Sequence, residues 1–377
     1  MFYNFVSKIK NFKLTILDKF ILSQVFGATM VCLILFMIVW IAPETLFDII
    51  KKIMQEHISI AHALELLILE IPKVLAKAIP VGILLGSIFT FDRLSKNSEL
   101  SILRGIGLSF GRIMLPVIWF GVVLSIFCYI VNDKLVPIAS DRLGESTGGG
   151  SHFVYIVENP DKTPKQNIIV SGFSPEKMND ITVMNFSLEK YSDATIFDSI
   201  IFAPYAEKLP NCWMLYDVTL YEIDPGGIYK SVKKLAGYPI LQEKGQAQEV
   251  YDLMLNATRK ERVFTNHQIA KYAKLLKKAK FSDEYRYFKA KLYQRYLHPL
   301  TCILFVIIGC MLGFAPPRSQ RLVGFTVAVG IIFGYYITLP FFDLLAQKGI
   351  IAPFLAAAFP IIAFIISIFV IKKVKDL

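Results

Sequence analysis

Six apolar runs of about 20 residues recur along the chain, near 21–43, 63–91, 113–131, 297–315, 322–342 and 351–371. Each is long enough to cross a roughly 30 Å hydrocarbon layer as a helix, whose backbone satisfies its own polar groups there. A large soluble protein with several buried helices would not repeat such runs, because its surface must be mostly polar. Hydrophobic residues make up 54% of the 377, mean hydropathy is +0.51, and the 19% that are charged cluster between the runs. The chain therefore reads as an integral membrane protein of about six spans. Its first apolar run is too long for a signal peptide and lacks a small-residue cleavage site, so it is expected to be a retained span.

The net charge of +11 does not indicate nucleic acid, since the basic residues sit at span ends without interleaved aromatics. They act instead as a topology signal. Lys8, Lys10, Lys13 and Lys19 precede the first run, and Arg93, Lys96, Arg104 and Arg112 fill the second gap. Arg318 and Arg321 lie between runs four and five, and Lys372, Lys373 and Lys375 end the chain. With six spans, all four segments fall on one side. The opposite short loops are nearly balanced, with Glu44, Asp48, Lys51, Lys52 and Glu56 in one and Asp343 and Lys348 in the other. Both termini are thus expected in the cytoplasm and the polar insert between runs three and four outside. Of Cys32, Cys128, Cys212, Cys302 and Cys310, all but Cys212 lie in apolar runs, so no disulfide framework is indicated.

The insert reads as β. Segments 153–158, 167–172, 181–186, 199–204 and 213–222 are short and rich in β-branched and aromatic residues. Turn chemistry separates them, including Asn159-Pro160 and Asp224-Pro225-Gly226-Gly227. An antiparallel sandwich or jelly roll is favoured over a βαβ fold. Ile168, Val170, Ile181, Val183 and Ile201 point inward, as the core of such a fold would. From about 265 the period becomes helical, with Thr265 or Asn266 as cap and Ile269, Tyr272, Ala273 and Leu276 on one side. The expected organisation is a first membrane part (1–133), a β domain (134–264), a connector helix (265–295) and a second membrane part (296–377).

No engine is visible. The chain has no GxxxxGK[ST] phosphate loop, GxSxG elbow or HExxH, no His/Cys cluster with metal spacing, and only isolated histidines such as His152. No catalytic residue, metal ligand or cofactor is expected.

The second gap is more informative. In FDRLSKNSELSILRGIGLSFGR (91–112), Asn97 or Ser98 can cap a short helix over about 97–105. Glu99 suits its positive end, Gly105 can stop it, and Leu100, Leu103 and Ile106 project along one side. Such a helix fits a groove on a partner, or merely links two spans.

The run from Ile71 to Ser109, IPKVLAKAIPVGILLGSIFTFDRLSKNSELSILRGIGLS, resembles the LptF/LptG permeases of the lipopolysaccharide-export ABC transporter (the YjgP/YjgQ family). The likeness extends to the layout of three spans, an extracytoplasmic β-jellyroll and three more spans, and to Pro299-Leu300. The resemblance implies that Ser98, Glu99, Leu100, Leu103 and Arg104 belong to a coupling helix seated on a separate, LptB-like cytoplasmic ATPase. Glu99 would pair a basic residue there. It also implies a second permease chain, paralogue or self copy, with first and fifth spans as lateral gates. An LptC/LptA-like β-jellyroll bridge would join the β domain by β-augmentation and receive lipopolysaccharide or a related glycolipid, and the inward positions of that domain would line a slot for acyl chains instead of forming a dry core.

Gly82/Gly86, Gly309/Gly313 and Gly330/Gly334 form small-xxx-small pairs that allow close helix packing, within the chain or between subunits. Pro72, Pro80 and Pro340 should bend their helices. Lys73 and Lys77 share one face of the second span and, with Lys51 and Lys52 nearby, are candidates for lipid headgroup phosphates. Snorkelling, or pairing with Glu70, is the competing reading. The gate-region lysines of the family's first span have no counterpart, since Lys19 sits at its edge. Rival readings are an ABC permease of the mechanotransmission type, a non-transporting scaffold whose outer domain recruits partners, and an autonomous secondary transporter. The span count argues against the first, and the scarcity of intramembrane acids and of inverted repeats against the last.

Overall fold

The computed structural model describes residues 15–41, 47–56, 59–143, 153–158, 164–173, 178–188, 195–224, 228–243, 245–257, 259–314 and 323–375. The chain forms two compact units, Gly144–Glu261 and the remainder.

The larger unit is helical. Its elements are α1 (Ile16–Ile41), α2 (Phe47–Glu56), α3 (Ile60–Lys96), α4 (Glu99–Gly105), and α5 (Phe110–Ile130), which a π-helical turn (Val131–Leu135) joins to α6 (Val136–Arg142). Among the described residues, five helices are long and apolar enough to span a membrane, or six if one bent pair counts as a single span. That pair joins a helix of the expected connector to the helix of the fourth apolar run, and the connector consists of α8 (Asn266–Lys278) and α9 (Ser282–Leu297) rather than one helix. A 51° bend then leads into α10 (Leu300–Gly313). The bend falls at His298-Pro299, where proline supplies no backbone donor. The last spans are α11 (Val323–Gln347) and α12 (Pro353–Lys375).

α3 is the axle of this unit. Gly82 and Gly86 let α1 approach so closely that an added Cβ would meet Leu33 at 3.0 Å and Thr29 at 2.4 Å. Gly309 and Gly313 of α10 do the same against Leu84, Ser87, Ile88 and Phe91. Two of the three glycine pairs therefore serve packing within the chain. Gly330 and Gly334 of α11 face open space, and a Cβ added to either would meet nothing within 4 Å.

The smaller unit carries β1 (Phe153–Glu158), β2 (Pro164–Phe173), β3 (Met178–Leu188), β4 (Thr195–Lys208), β5 (Trp213–Ile223), β6 (Tyr229–Ile240) and helix α7 (Gln246–Ala257). The strands pair antiparallel in chain order as a six-stranded meander. All five expected strands are present; β6, rich in lysine, was not anticipated. Ile168 lies opposite Val183 and Val183 opposite Ile201, and with Val170 and Ile181 all five side chains are buried as expected. Trp213, fully buried, donates its indole N–H to the Ala247 carbonyl (3.0 Å) and so fastens α7 to β5. At the solvent-facing edge, Lys233 and Ser231 of β6 hold the Glu222 carboxyl below the usual carboxylate range.

Candidate functional site

The segment singled out between the second and third spans folds as a corner built almost wholly from local bonds. α3 ends with the Asn97 N–H on the Arg93 carbonyl. Ser98 precedes α4 with a left-handed backbone (φ 61°), and its hydroxyl makes no capping bond. Of the two expected caps, Asn97 or Ser98, Ser98 is thus not one. Instead the Asn97 amide donates to the Glu99 carboxylate (3.1 Å), which holds Glu99 at the start of the helix.

The helix ends at Gly105, but the residue whose left-handed backbone closes it is Gly107. Gly107 adopts φ +91°, its N–H bonds the Arg104 carbonyl (3.0 Å), and the Leu108 N–H reaches the Leu103 carbonyl (3.2 Å). This is a Schellman ending, which needs a residue free to enter the left-handed region at its penultimate step. Leu108 and Leu103, the apolar pair of that ending, both pack on the main core. Ser109 follows and caps α5 by accepting the Arg112 N–H (3.3 Å). The Gly-hydrophobic-Ser element is therefore a stop, an anchor and a start in three residues.

The corner sorts the candidate residues into two sets. Leu100 is 1% exposed and, with Leu103, faces the bundle, while Ile102 (64%) and Ile106 (70%) face outward. The expected single stripe of Leu100, Leu103 and Ile106 is split because consecutive turns of a seven-residue helix rotate those positions apart. Arg104 lies over the Phe314 ring at the end of α10 (5.3 Å). The same end of the bundle is tied by Lys375, whose ammonium donates to the carbonyls of Met311 (2.9 Å), Leu312 (3.0 Å) and Phe314 (2.5 Å). It thereby closes the orphan C-terminal carbonyls of α10.

The candidate headgroup lysines are dispersed. Lys73 pairs with Glu70 (3.0 Å), and Lys77 lies over the Trp40 ring of α1 (4.7 Å). Lys51 is exposed on α2. The Lys52 side chain, the N-terminal Lys8, Lys10 and Lys13, the segment with Arg318 and Arg321, and His152 lie outside the described residues.

Three polar nodes escaped the reading of the sequence. The first joins α1 to α5: the Arg112 guanidinium donates to both carboxylate oxygens of the buried Asp18 (2.7 and 3.0 Å). A Thr-x-x-Asp start to the first apolar run was its only trace. The second follows from Pro80, which has no N–H for the Ala76 carbonyl one turn earlier. That carbonyl lies 3.3 Å from His298 Nε2 at the bend of the fourth span and 3.6 Å from the Cys128 thiol, a donor to it. A carbonyl only accepts, so Nε2 carries the proton and Nδ1 accepts the Tyr335 hydroxyl (2.6 Å). Next to it the Tyr336 hydroxyl donates to the Lys77 carbonyl (2.7 Å). The third is Asp343, 6% exposed, which takes Lys291 (2.7 Å) and Gln294 (2.5 Å) from α9.

Among the described residues, no group of three or more His, Cys, Asp or Glu could hold a metal ion. α4 is thus bonded at its head to the end of α3 and at its foot to the start of α5, with Arg104 over Phe314 at the end of α10. The comparison with individual curated proteins gave no match. The family model described as lipopolysaccharide export system permease LptF/LptG matches residues 19–373, nearly the whole chain. With its membrane helices, its inserted antiparallel sheet and a match of that extent, the chain belongs to the LptF/LptG family of lipopolysaccharide-export permeases.

Proposed function

We propose that this chain is a permease subunit of an ABC transporter that extracts lipopolysaccharide, or a related envelope glycolipid, from the bacterial inner membrane. A separate cytoplasmic ATPase supplies the energy, and α4 is the element through which force enters. The observation that carries this reading is the exposure of Ile102 and Ile106 on a helix whose other side, Leu100 and Leu103, is anchored in the bundle. An exposed apolar pair on an anchored helix, with an acid at its first turn, suits a hydrophobic groove rimmed by a basic residue. Both termini and α4 lie on the cytoplasmic side by the distribution of lysine and arginine, and the sheet lies in the periplasm. The chain works beside a second permease chain and hands the lipid along its own sheet, with the buried positions of β2–β4 facing acyl chains, to a periplasmic β-jellyroll partner. Lys51, Lys52, Lys73 and Lys77 supply cationic groups on the lipid's path.

Affinity purification from native membranes in mild detergent, with identification of bound chains and lipids, tests the assignment. An ATPase and a glycolipid are expected with the wild-type chain, and the ATPase is expected to be lost with Ile102→Asp or Glu99→Lys. A chain that never brings down a nucleotide hydrolase, or a Glu99→Lys complex with normal ATP-driven lipid release, would leave the scaffold reading in its place.

A further inference from the structure

We propose that Asp18 and Arg112 form a strut that carries movement of the α4 corner to the first span, which makes both of them positioning residues for transport. The inference rests on α4 being the point where force enters.

Each end of the strut is clamped. Asp18 sits in the first turn of α1, where the Thr15 N–H donates to its carboxylate (3.0 Å) and the Asp18 N–H donates to the Thr15 hydroxyl (3.3 Å). This reciprocal cap fixes the carboxylate to the start of the span. Arg112 sits in the first turn of α5, and its own N–H is held by Ser109. Ser109 follows the Gly107 stop of α4 after one residue, Leu108. The path from α4 to α1 therefore runs along the chain from Gly107 to Ser109, and then by hydrogen bonds from Ser109 to Arg112 and from Arg112 to Asp18.

Topology alone does not call for this. A basic residue at a span end obeys the positive-inside rule without any partner. Here the partner is an acid only 1% exposed, met by both arms of a planar fork, a geometry that fixes direction as well as distance. Beyond a buried line of Ile21, Val25, Thr29, Cys32 and Leu33, where Thr29 and Leu33 meet the α3 glycines, the rest of α1 is largely uncovered, and Phe26 is 52% exposed even where it meets Phe120. The start of α1 is thus where a displaced corner can pull on it.

The test uses the purified wild-type complex in proteoliposomes containing lipopolysaccharide, with ATP hydrolysis and ATP-driven lipid release measured together. Arg112→Lys keeps the charge and loses the fork; Asp18→Asn keeps the shape and loses the charge; the double exchange Asp18→Arg with Arg112→Asp rebuilds the pair in reverse. The ATPase is expected to stay bound and hydrolysing in all three. Lipid released per ATP should fall about tenfold in both single variants, a usual size for coupling between sites, and recover in the exchange. If Asp18→Asn does not accumulate, the split between hydrolysis and release in Arg112→Lys decides. Release at the wild-type level in the single variants, or hydrolysis and release falling together, overturns the strut while leaving the proposed function intact. Absence of any ATPase from the wild-type chain removes both.

Discussion

α3 and α11 share a vocabulary and live in different environments. Both are long apolar helices with an internal proline and a Gly-xxx-Gly pair, yet 78% of the apolar window of α3 is buried and 11% of that of α11. Around Gly82 and Gly86 the backbone of α1 is in contact, whereas Gly330 and Gly334 stand open beside the exposed Phe333 and Ile337. In lipid, apolar surface gains nothing by meeting other apolar surface, so a small-residue pair permits close approach without compelling it. Contact follows where a second feature agrees, as when the glycines of α10 meet α3 while Ser95 donates to the Gly313 carbonyl (3.4 Å). α3 organises the chain internally; α11 presents its glycines outward.

The largest expected effect breaks that contrast most directly. Gly86→Leu and Gly313→Leu should prevent a folded chain from accumulating, because even a Cβ would lie 2.4–2.8 Å from Thr29, Ile88 and Phe91 atoms. Gly330→Leu and Gly334→Leu should leave accumulation and elution on fluorescence-detected size exclusion unchanged. Equal damage at all four positions would erase the distinction between axle and outer surface.

Next in size is Lys291→Ala, which strands the Asp343 carboxylate between α9 and α11 without its cation. Removing one partner of a buried pair costs up to about 3–5 kcal/mol, so the thermal midpoint in detergent should drop clearly. Lys291→Ala with Asp343→Leu should recover much of it.

Smaller again is His298→Phe, which leaves the Ala76 carbonyl with only the Cys128 thiol as donor and takes the imidazole from the Tyr335 hydroxyl. Interhelical hydrogen bonds in membranes are worth about 0.6–2 kcal/mol. Pro80→Ala gives the Ala76 carbonyl a donor in its own helix, so the double variant should lose less than the sum of the two singles. Strict additivity in a double-mutant cycle would show that the proline and the histidine act independently.

The smallest effect belongs to the other unit. Glu222 is open to solvent and its pKa is held down by Lys233, so the contribution of the pair is present at neutral pH and disappears as pH falls through the carboxylate range. Lys233→Ala should shift the titration of the Glu222 carbon resonance up towards the ordinary carboxylate range, with Ser231 still holding it part of the way down, and with no measurable change in thermal midpoint. A marked loss of stability would mean that the β6 edge contributes more than its exposure suggests.

Much of the architecture was legible because the signals were long or locally complete. Apolar runs marked the spans within a few residues, and alternating β-branched segments marked five of six strands. Thr265 and Gln268 close a full capping box at the head of α8. β6 was missed because its lysine-rich, exposed residues carry no inward alternation; its place is set by pairing with β5. At the α4 corner the helix and the position of Glu99 were readable, but its orientation was not. Which of Leu100, Leu103 and Ile106 turns inward depends on the angle at which α3 delivers the chain. Lys77 could be placed at a depth in the membrane, yet that Trp40 lies beneath it depends on how α1 packs.

The sequence by itself determined that this chain crosses a membrane several times, which end of the spans is basic, that a β unit interrupts them, and that a short acid-tipped helix follows the second span. These are consequences of runs and local bonds, which solvent and backbone chemistry decide residue by residue. Only the tertiary structure decided that Asp18 meets Arg112, that His298 answers the carbonyl freed by Pro80, and that one glycine pair in three stays open. The partners in each case are distant in sequence, and in a medium as apolar as the side chains, helix registry comes from shape and from a few polar groups seeking one another.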